Sequence, residues 1–300
     1  MASMIGSKVE RKEDKKFLTG KGRYTADITL HNQSYAVFIR SPHARAKIKG
    51  IDTAKAKKAS GVIDVLTGKD LADDKIGGLI AGWKIVSKDG TDMKCPAHPA
   101  LATDTVNYVG DHVALVIAES LQEAKDAADL VNVDYKVLKA VANTGDAMNA
   151  ETIHDGIDKN LCFDWELGDK AKVDEAFSSA DKVVEMDIVN NRLVPNAMEP
   201  RASIGDYNSS SDELTLYTTS QNPHLSRLVM SAFNALHPEH KFRVVAPDVG
   251  GGFGSKIYPY SEDVVIAWAA KRLQRPVKWV CERTESFLSD CHGRDHITKA

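Results

Sequence analysis

Between Asp248 and Lys256 the chain reads Asp-Val-Gly-Gly-Gly-Phe-Gly-Ser-Lys, with four glycines and one aromatic between a strand-like stretch ending at Val244-Val245 and a helical pattern that begins near Ser261. Such a run has to be a loop. Without a Cβ in the way, its backbone N–H groups can converge on an anion or lie flat against a cofactor. Phe253 then has to point somewhere, and beside a cofactor it can wall a pocket. The loop departs from two well-known templates. A Walker A loop needs Gly directly before the Lys and Ser or Thr directly after, where this chain has Ser255 and Ile257. The dinucleotide spacing also fails, because Gly250 and Gly252 call for a third glycine where Ser255 stands. Two readings stay open on this feature alone: a tight turn or a ligand-binding loop.

Three hundred residues suggest about two domains. The net charge of -3 argues against a nucleic-acid partner. No apolar run approaches the roughly 20 residues of a membrane span, and the charged first sixteen residues do not read as a secretory signal. Four scattered cysteines point to a reduced, cytoplasmic protein. Cys281, Cys291, His292 and His296 lack the spacing of a common zinc knuckle, and Cys281 continues the apolar stretch 277–280 into a core.

Strands are predicted over 34–39, 46–51, 112–118 and 131–137. Ser120 and Glu123 form a capping box for a helix whose apolar face is Leu121, Ala124, Ala128 and Val131. The polar stretch from 140 to 169 reads as a linker. Beyond it, strands are predicted over 182–189, 202–207 and 213–219. A helix follows, capped by Asn222, opened by Pro223, striped by Leu225, Leu228, Val229, Ala232, Phe233 and Leu236, and ended by Pro238. Gln221 therefore stands at a strand end beside a helix N-terminus, where free N–H groups favour anionic ligands. This junction and the glycine loop lie about thirty residues apart in sequence, and in a sheet-based domain both can open on one edge.

Four stretches carry a resemblance to a known family: Arg11-Lys-Glu-Asp14 with Phe17 to Tyr24 and Asp27; Arg40-Ser-Pro-His43-Ala44; Pro195-Asn-Ala-Met-Glu-Pro-Arg201; and Thr219-Ser-Gln221-Asn followed by Gly250-Gly-Gly-Phe-Gly254. Their order and spacing resemble the start of the large, molybdenum-binding subunit of the xanthine dehydrogenase, aldehyde oxidase and aerobic carbon monoxide dehydrogenase family. The resemblance implies an α+β chain. An α/β-hammerhead domain with its N-terminal segment is expected over 1–139, a linker over 140–169, and the first part of a mixed α/β molybdopterin-binding domain over 170–300.

The resemblance also implies a function. The chain is expected to be the N-terminal part of an oxidoreductase that hydroxylates an aldehyde or an N-heterocycle, or oxidises carbon monoxide, with water as oxygen donor. The cofactor implied is molybdenum-molybdopterin in its cytosine dinucleotide form. Electrons are expected to pass to 2Fe-2S and FAD groups on a small and a medium partner subunit. Gln221, Gly251, Gly252, Phe253 and Gly254 are the implied cofactor-binding residues, with the Gln221 amide donating to a metal-oxo group. A side chain at Gly252 is expected to block the backbone's approach or to demand a forbidden φ.

Ile257 stands where the purine-oxidising branch carries a glutamate, which argues against xanthine as substrate. The family's general-base glutamate is expected beyond Ala300, so the catalytic residue is unknown from these residues and the piece is expected to be inactive alone. A non-catalytic cofactor-binding or assembly module is the competing reading. Glu199 is expected to be buried and paired with Arg201 or Arg192 rather than catalytic. His43 reads as a turn residue, His224 lies in the first turn of a helix near the site, the lysines from 55 to 58 form a solvated face, and Lys256 is either a phosphate partner or a solvated loop residue. Limited proteolysis of the protein should cut first between Ala140 and Asp169; first cleavage inside the 120–131 helix instead would overturn the linker assignment.

Overall fold

The computed structural model describes residues 5–300. In chain order the first part comprises α1 (Asp14–Leu18), β1 (Ser34–Arg40), β2 (Ala46–Asp52), β3 (Val62–Thr67), α2 (Gly68–Asp73), β4 (Thr105–Val106), β5 (His112–Ala118), α3 (Leu121–Ala128) and β6 (Asn132–Val137). The second part comprises α4 (Lys170–Ser179), β7 (Asp187–Asn190), β8 (Ala202–Asn208), β9 (Glu213–Thr218), α5 (Pro223–Ala232), β10 (Phe242–Val245), α6 (Ser261–Leu273), β11 (Val277–Val280), α7 (Arg283–Ser289) and β12 (His296–Lys299). The class is mixed α and β. None of the helices among the described residues is long and apolar enough to cross a membrane.

A seven-stranded sheet in the order β10-β9-β8-β11-β1-β5-β3 takes strands from both parts of the chain. Its joining edge is the parallel pairing of β1 with β11, where Ser34 faces Val277. Smaller sheets, β4-β2-β6 and β12-β7, flank it. β5 is buried along its whole length, which explains its uninterrupted apolar sequence. α6 is buried from Ser261 to Ala270 and lies across β8, β9 and β11. A helix enclosed on every side has no polar face, so its sequence Val-Val-Ile-Ala-Trp-Ala-Ala shows little amphipathic pattern. One apolar core runs from Phe38, Leu66 and Leu115 through Leu214, Ile266 and Trp279.

Charge is buried with that core. Glu262, in the first turn of α6, is fully buried and receives both Arg201 nitrogens as a fork, at 2.8 and 2.9 Å. Arg40 of β1 reaches the same carboxylate at 2.9 Å, and Nε2 of His112, from β5, stands 2.9 Å away. Arg40 also binds Glu285 at 2.8 Å, and Arg201 binds Asp290 at 2.7 Å. Burial alone pushes the Glu262 carboxyl up, but the Arg201 charge, followed by His112 and Arg40, outweighs it and holds the group well below the ordinary carboxylate range. Burial is the largest effect on His112 and pushes its imidazole below the ordinary value.

Several sequence expectations shift. The strand expected over 182–189 forms only over Asp187–Asn190, paired antiparallel with β12, and the Met186 and Ala300 main chains bond each other just past it. In α3 the Ser120 hydroxyl caps the helix as expected, accepting from the Glu123 N–H at 3.2 Å. The Glu123 carboxylate accepts from that hydroxyl rather than from the Ser120 N–H, so the box is half formed. Ala127 rather than Ala128 is fully buried and Leu121 is 45% exposed, so the buried face is rotated. α5 ends at Ala232, well before Pro238, where the chain turns through Ala235 at a φ of 53°. Asn222 occupies the cap position without a capping hydrogen bond from its side chain; the Ser220 hydroxyl accepts from the Asn222 N–H instead, at 3.0 Å. Among its stripe residues, Leu228 and Phe233 are exposed.

Glu262→Gln leaves two buried guanidinium groups short of a countercharge, a change that costs about 3–5 kcal/mol. Both perturbed groups have folded pKa values below their unfolded ones. Their stabilisation is therefore present above the unfolded value and lost as the pH falls below it, from about 6.5 for His112 and about 4.5 for Glu262. Urea unfolding at pH 7 should show the loss, and the gap between wild type and Glu262→Gln should narrow below pH 4.5. An unchanged midpoint at pH 7 would show that the cluster contributes nothing net.

Candidate cofactor site

Three chain segments meet around the glycine loop. The loop leaves β10, and its start is braced by the N-terminal segment: Asp248 accepts from Lys16 Nζ at 2.5 Å and from the Arg23 N–H at 2.7 Å, while the Asp248 N–H donates to the Arg23 carbonyl at 3.1 Å. The end of the loop is held from Tyr260, the residue that precedes α6. The Tyr260 hydroxyl donates to the Ser255 carbonyl at 2.6 Å, and Arg201 stacks 3.7 Å above the Tyr260 ring, which links the loop to the buried ion cluster. Asp263 accepts from Ser203 of β8 at 2.5 Å and from Thr218 of β9 at 2.7 Å, fixing the strand end from which Gln221 emerges.

Gln221 and the loop are locked together. The Gln221 N–H donates to the Lys256 carbonyl at 2.7 Å. Its side-chain oxygen accepts from the N–H groups of Gly254 at 3.0 Å and Lys256 at 3.2 Å. With that oxygen fully engaged, the amide orientation is determined, and Nε2 is the end left to donate outward. The N–H groups of Gly251, Gly252 and Phe253 donate to no acceptor among the described residues.

A Cβ on Gly252 falls 2.4 Å from Cδ and Oε1 of Gln221, so the constraint there is space rather than φ. The positive φ values belong to Gly251 (97°), Phe253 (50°) and Gly254 (88°). A phenylalanine held in the left-handed region costs about 1–3 kcal/mol and persists only where the surroundings impose it. Phe253 is 74% exposed, and one edge of its ring lies over Gly251, where an added Cβ would stand 3.0 Å from it.

Other predicted residues are placed as follows. Lys256 is not a solvated loop lysine: it is 2% exposed, and its ammonium donates to the Glu199 carbonyl at 2.8 Å and to Glu199 Oε2 at 3.2 Å. Burial pushes this ammonium below its ordinary value, against the pull of Glu199. Glu199 is therefore paired, but with Lys256. Arg201 is taken by Glu262 and Asp290, and Arg192 by Asp295. Glu199 and Lys256 lie 57 residues apart, and no spacing rule connects them. His224 is exposed at the start of α5. His43 sits in a turn, its N–H donating to the Ser41 hydroxyl at 3.0 Å. The lysines at 55, 57 and 58 are exposed around a short turn whose Ala56 is buried. Cys281 is buried in the core.

Two concavities of about 690 and 680 Å³ lie elsewhere, between β1, α3 and β11 and between Ala140–Ala142 and α7; neither includes Gln221 or the glycine loop. The loop and Gln221 form an open face. Gln221, Phe253 and Gly254 are the exposed part of this face; Gly252 is buried beneath the Gln221 carboxamide, and the Phe253 ring lies over the half-buried Gly251. Such a face suits a flat, polar, anionic group carried against backbone.

The two parts of this fold are shared with known proteins. Residues 19–139 match the aldehyde oxidase and xanthine dehydrogenase a/b hammerhead domain, and residues 153–300 match the molybdopterin cofactor-binding domain. The chain belongs to the xanthine dehydrogenase, aldehyde oxidase and carbon monoxide dehydrogenase family of molybdopterin-dependent oxidoreductases. It is 36% identical over 295 residues to the nicotine 6-hydroxylase large subunit of Paenarthrobacter nicotinovorans, covering 98% of this chain and 35% of the relative. It is 37% identical over 311 residues to the carbon monoxide dehydrogenase large chain of Afipia carboxidovorans, covering 98% of this chain and 37% of the relative. The crystal structure of quinoline 2-oxidoreductase from Pseudomonas putida 86 superposes with a TM-score of 0.86 at 32% identity, covering 98% of this chain and 36% of that one. The chain thus spans a little over a third of the length of these relatives.

Gly252→Ala should push the Gln221 carboxamide off the loop, so that the Gly254 and Lys256 N–H groups lose their acceptor. Their amide exchange should accelerate by about tenfold or more. Unchanged exchange at both would mean that Gln221 does not hold the loop.

Proposed function

We propose that this chain is the N-terminal part of a molybdenum hydroxylase large subunit. In this reading Gln221, Gly251, Gly252, Phe253 and Gly254 line one side of the molybdopterin site. The observation that carries it is the Gln221 carboxamide: its oxygen is consumed by two loop amides, so its N–H₂ faces the open side beside a stretch of Cβ-free backbone.

These residues fit the group. A neutral donor can approach a polar group of the cofactor without adding charge, and the unpartnered N–H groups of Gly251 and Phe253 suit an anionic pterin. Bound there, molybdenum-molybdopterin supplies the two-electron redox chemistry. The chain's own contribution is to orient it. Gln221 holds a hydrogen bond that strengthens as charge develops on its acceptor, and Phe253 restricts the approach of substrate from outside. The reaction assigned is oxidation of a small molecule with water as oxygen donor: hydroxylation of an N-heterocycle or an aldehyde, or oxidation of carbon monoxide. Similarity to a nicotine hydroxylase and a quinoline oxidoreductase supports the heterocycle, and similarity to a carbon monoxide dehydrogenase supports the third. The cofactor form proposed is the cytosine dinucleotide, the electron route a 2Fe-2S small subunit and an FAD-binding medium subunit, and the location cytoplasmic. The names of relatives as subunits of complexes support a multi-subunit assembly.

The test is made on the enzyme purified with its partner subunits, by metal and pterin analysis beside steady-state rates. The wild type should carry molybdenum and pterin. Gln221→Ala should keep both and lose about 2.7–4 kcal/mol of transition-state stabilisation, a roughly 10²–10³-fold fall in turnover. Wild-type protein without molybdenum, or Gln221→Ala with normal turnover, would overturn the reading.

A further inference from the structure

We propose that Glu199 and Lys256 form a buried positioning pair that sets where the Gln221 carboxamide stands. The proposal rests on the cofactor reading above and assigns a role to two residues outside the set that lines the site.

The pair closes the glycine loop on itself. At the start of the loop, the Glu199 N–H donates to the Gly250 carbonyl at 3.1 Å, and Glu199 Oε2 accepts from the Gly250 N–H at 2.7 Å. At the other end, the Lys256 ammonium reaches back to the same carboxylate oxygen at 3.2 Å and to the Glu199 carbonyl at 2.8 Å. One carboxylate therefore ties together both ends of the segment from Gly250 to Lys256. The main chain of Lys256 is also what grips Gln221, its carbonyl accepting from the Gln221 N–H and its N–H donating to the side-chain oxygen. A displacement of Lys256 is thus passed directly to the amide. The Lys256 side chain is 1% exposed and that of Glu199 11%, so the pair is sheltered from solvent screening.

Glu199 is itself held from the far side. Arg283 of α7 donates to the carbonyls of Ala197 and Met198 at 2.7 and 2.8 Å and to Asn196 Oδ1 at 2.8 Å. The line of contacts runs from α7 through 196–199 to the loop and then to Gln221. Neither Glu199 nor Lys256 faces the open side, so they act through Gln221.

The test uses the assembled enzyme carrying Lys256→Met, Glu199→Ala or Glu199→Gln. Its readouts are amide exchange over 250–256 in cofactor-free protein, bound molybdenum, and kcat and KM per bound molybdenum. Lys256→Met and Glu199→Ala should raise loop exchange by about tenfold and lower kcat per molybdenum by about tenfold, with KM within roughly twofold. Glu199→Gln retains an acceptor for Gly250 and Lys256 and should stay within about threefold of the parent. Should Lys256→Met fail to accumulate, the two Glu199 variants carry the comparison alone. Parental exchange and parental kcat per molybdenum would overturn the proposal. A loss of folded protein with an unchanged rate per molybdenum would overturn it too, because the pair would then be structural only. Wild-type enzyme lacking molybdenum would instead sink the cofactor reading, and loop exchange would still report on the pair.

Discussion

Glu262 is the interaction on which the rest of this structure depends. It is a carboxylate with no solvent exposure, and its charge is balanced by guanidinium groups from β1 and from the residue just before β8. A buried carboxylate left unpaired costs several kcal/mol, so these segments have to converge on the first turn of α6. That convergence places β1 beside β11 in one sheet and sets the level at which α6 begins. The glycine loop ends five residues before that helix, so the loop's position follows from the ion cluster. Tyr260 makes the link physical, with Arg201 against its ring and its hydroxyl on the Ser255 carbonyl.

The proposed cofactor face is built largely from backbone, and this explains its composition. Side chains would fill the space that Gln221 occupies, as the 2.4 Å approach to Gly252 shows. The surrounding polar side chains are turned inward to hold the loop: Asp248 on the N-terminal segment, Glu199 and Lys256 on each other, Ser255 on the Gly252 carbonyl. Gln221 and Phe253 are exposed at this face. Rigidity is obtained behind the surface, and the surface itself is left free for a ligand.

The four sequence stretches that carry the family resemblance now have separate physical reasons. The N-terminal stretch contains Arg23 and Tyr24, which pair with Asp248 at the root of the loop. Arg40 belongs to the Glu262 cluster. The 195–201 stretch supplies Glu199 to the loop and Arg201 to the cluster, two opposite duties two residues apart. Gln221 and Gly250–Gly254 form the face.

Much of this was legible in the amino-acid sequence. Alternating and continuous apolar runs located β1, β2, β5, β8 and β9, because burial on one or two faces leaves that imprint directly. Glycines in the loop and the position of Gln221 before Pro223 named the candidate face, since both are local properties of the chain. What tertiary structure alone decided were the partners of buried charge. Glu199 was expected on Arg201 or Arg192, its neighbours in sequence, yet Arg201 is drawn to Glu262 and Glu199 to Lys256, 57 residues away. Charge pairing follows proximity in space and the cost of burial, and neither leaves a periodic signal in sequence. The same holds for Gly252, whose missing side chain is explained only once Gln221 stands beside it.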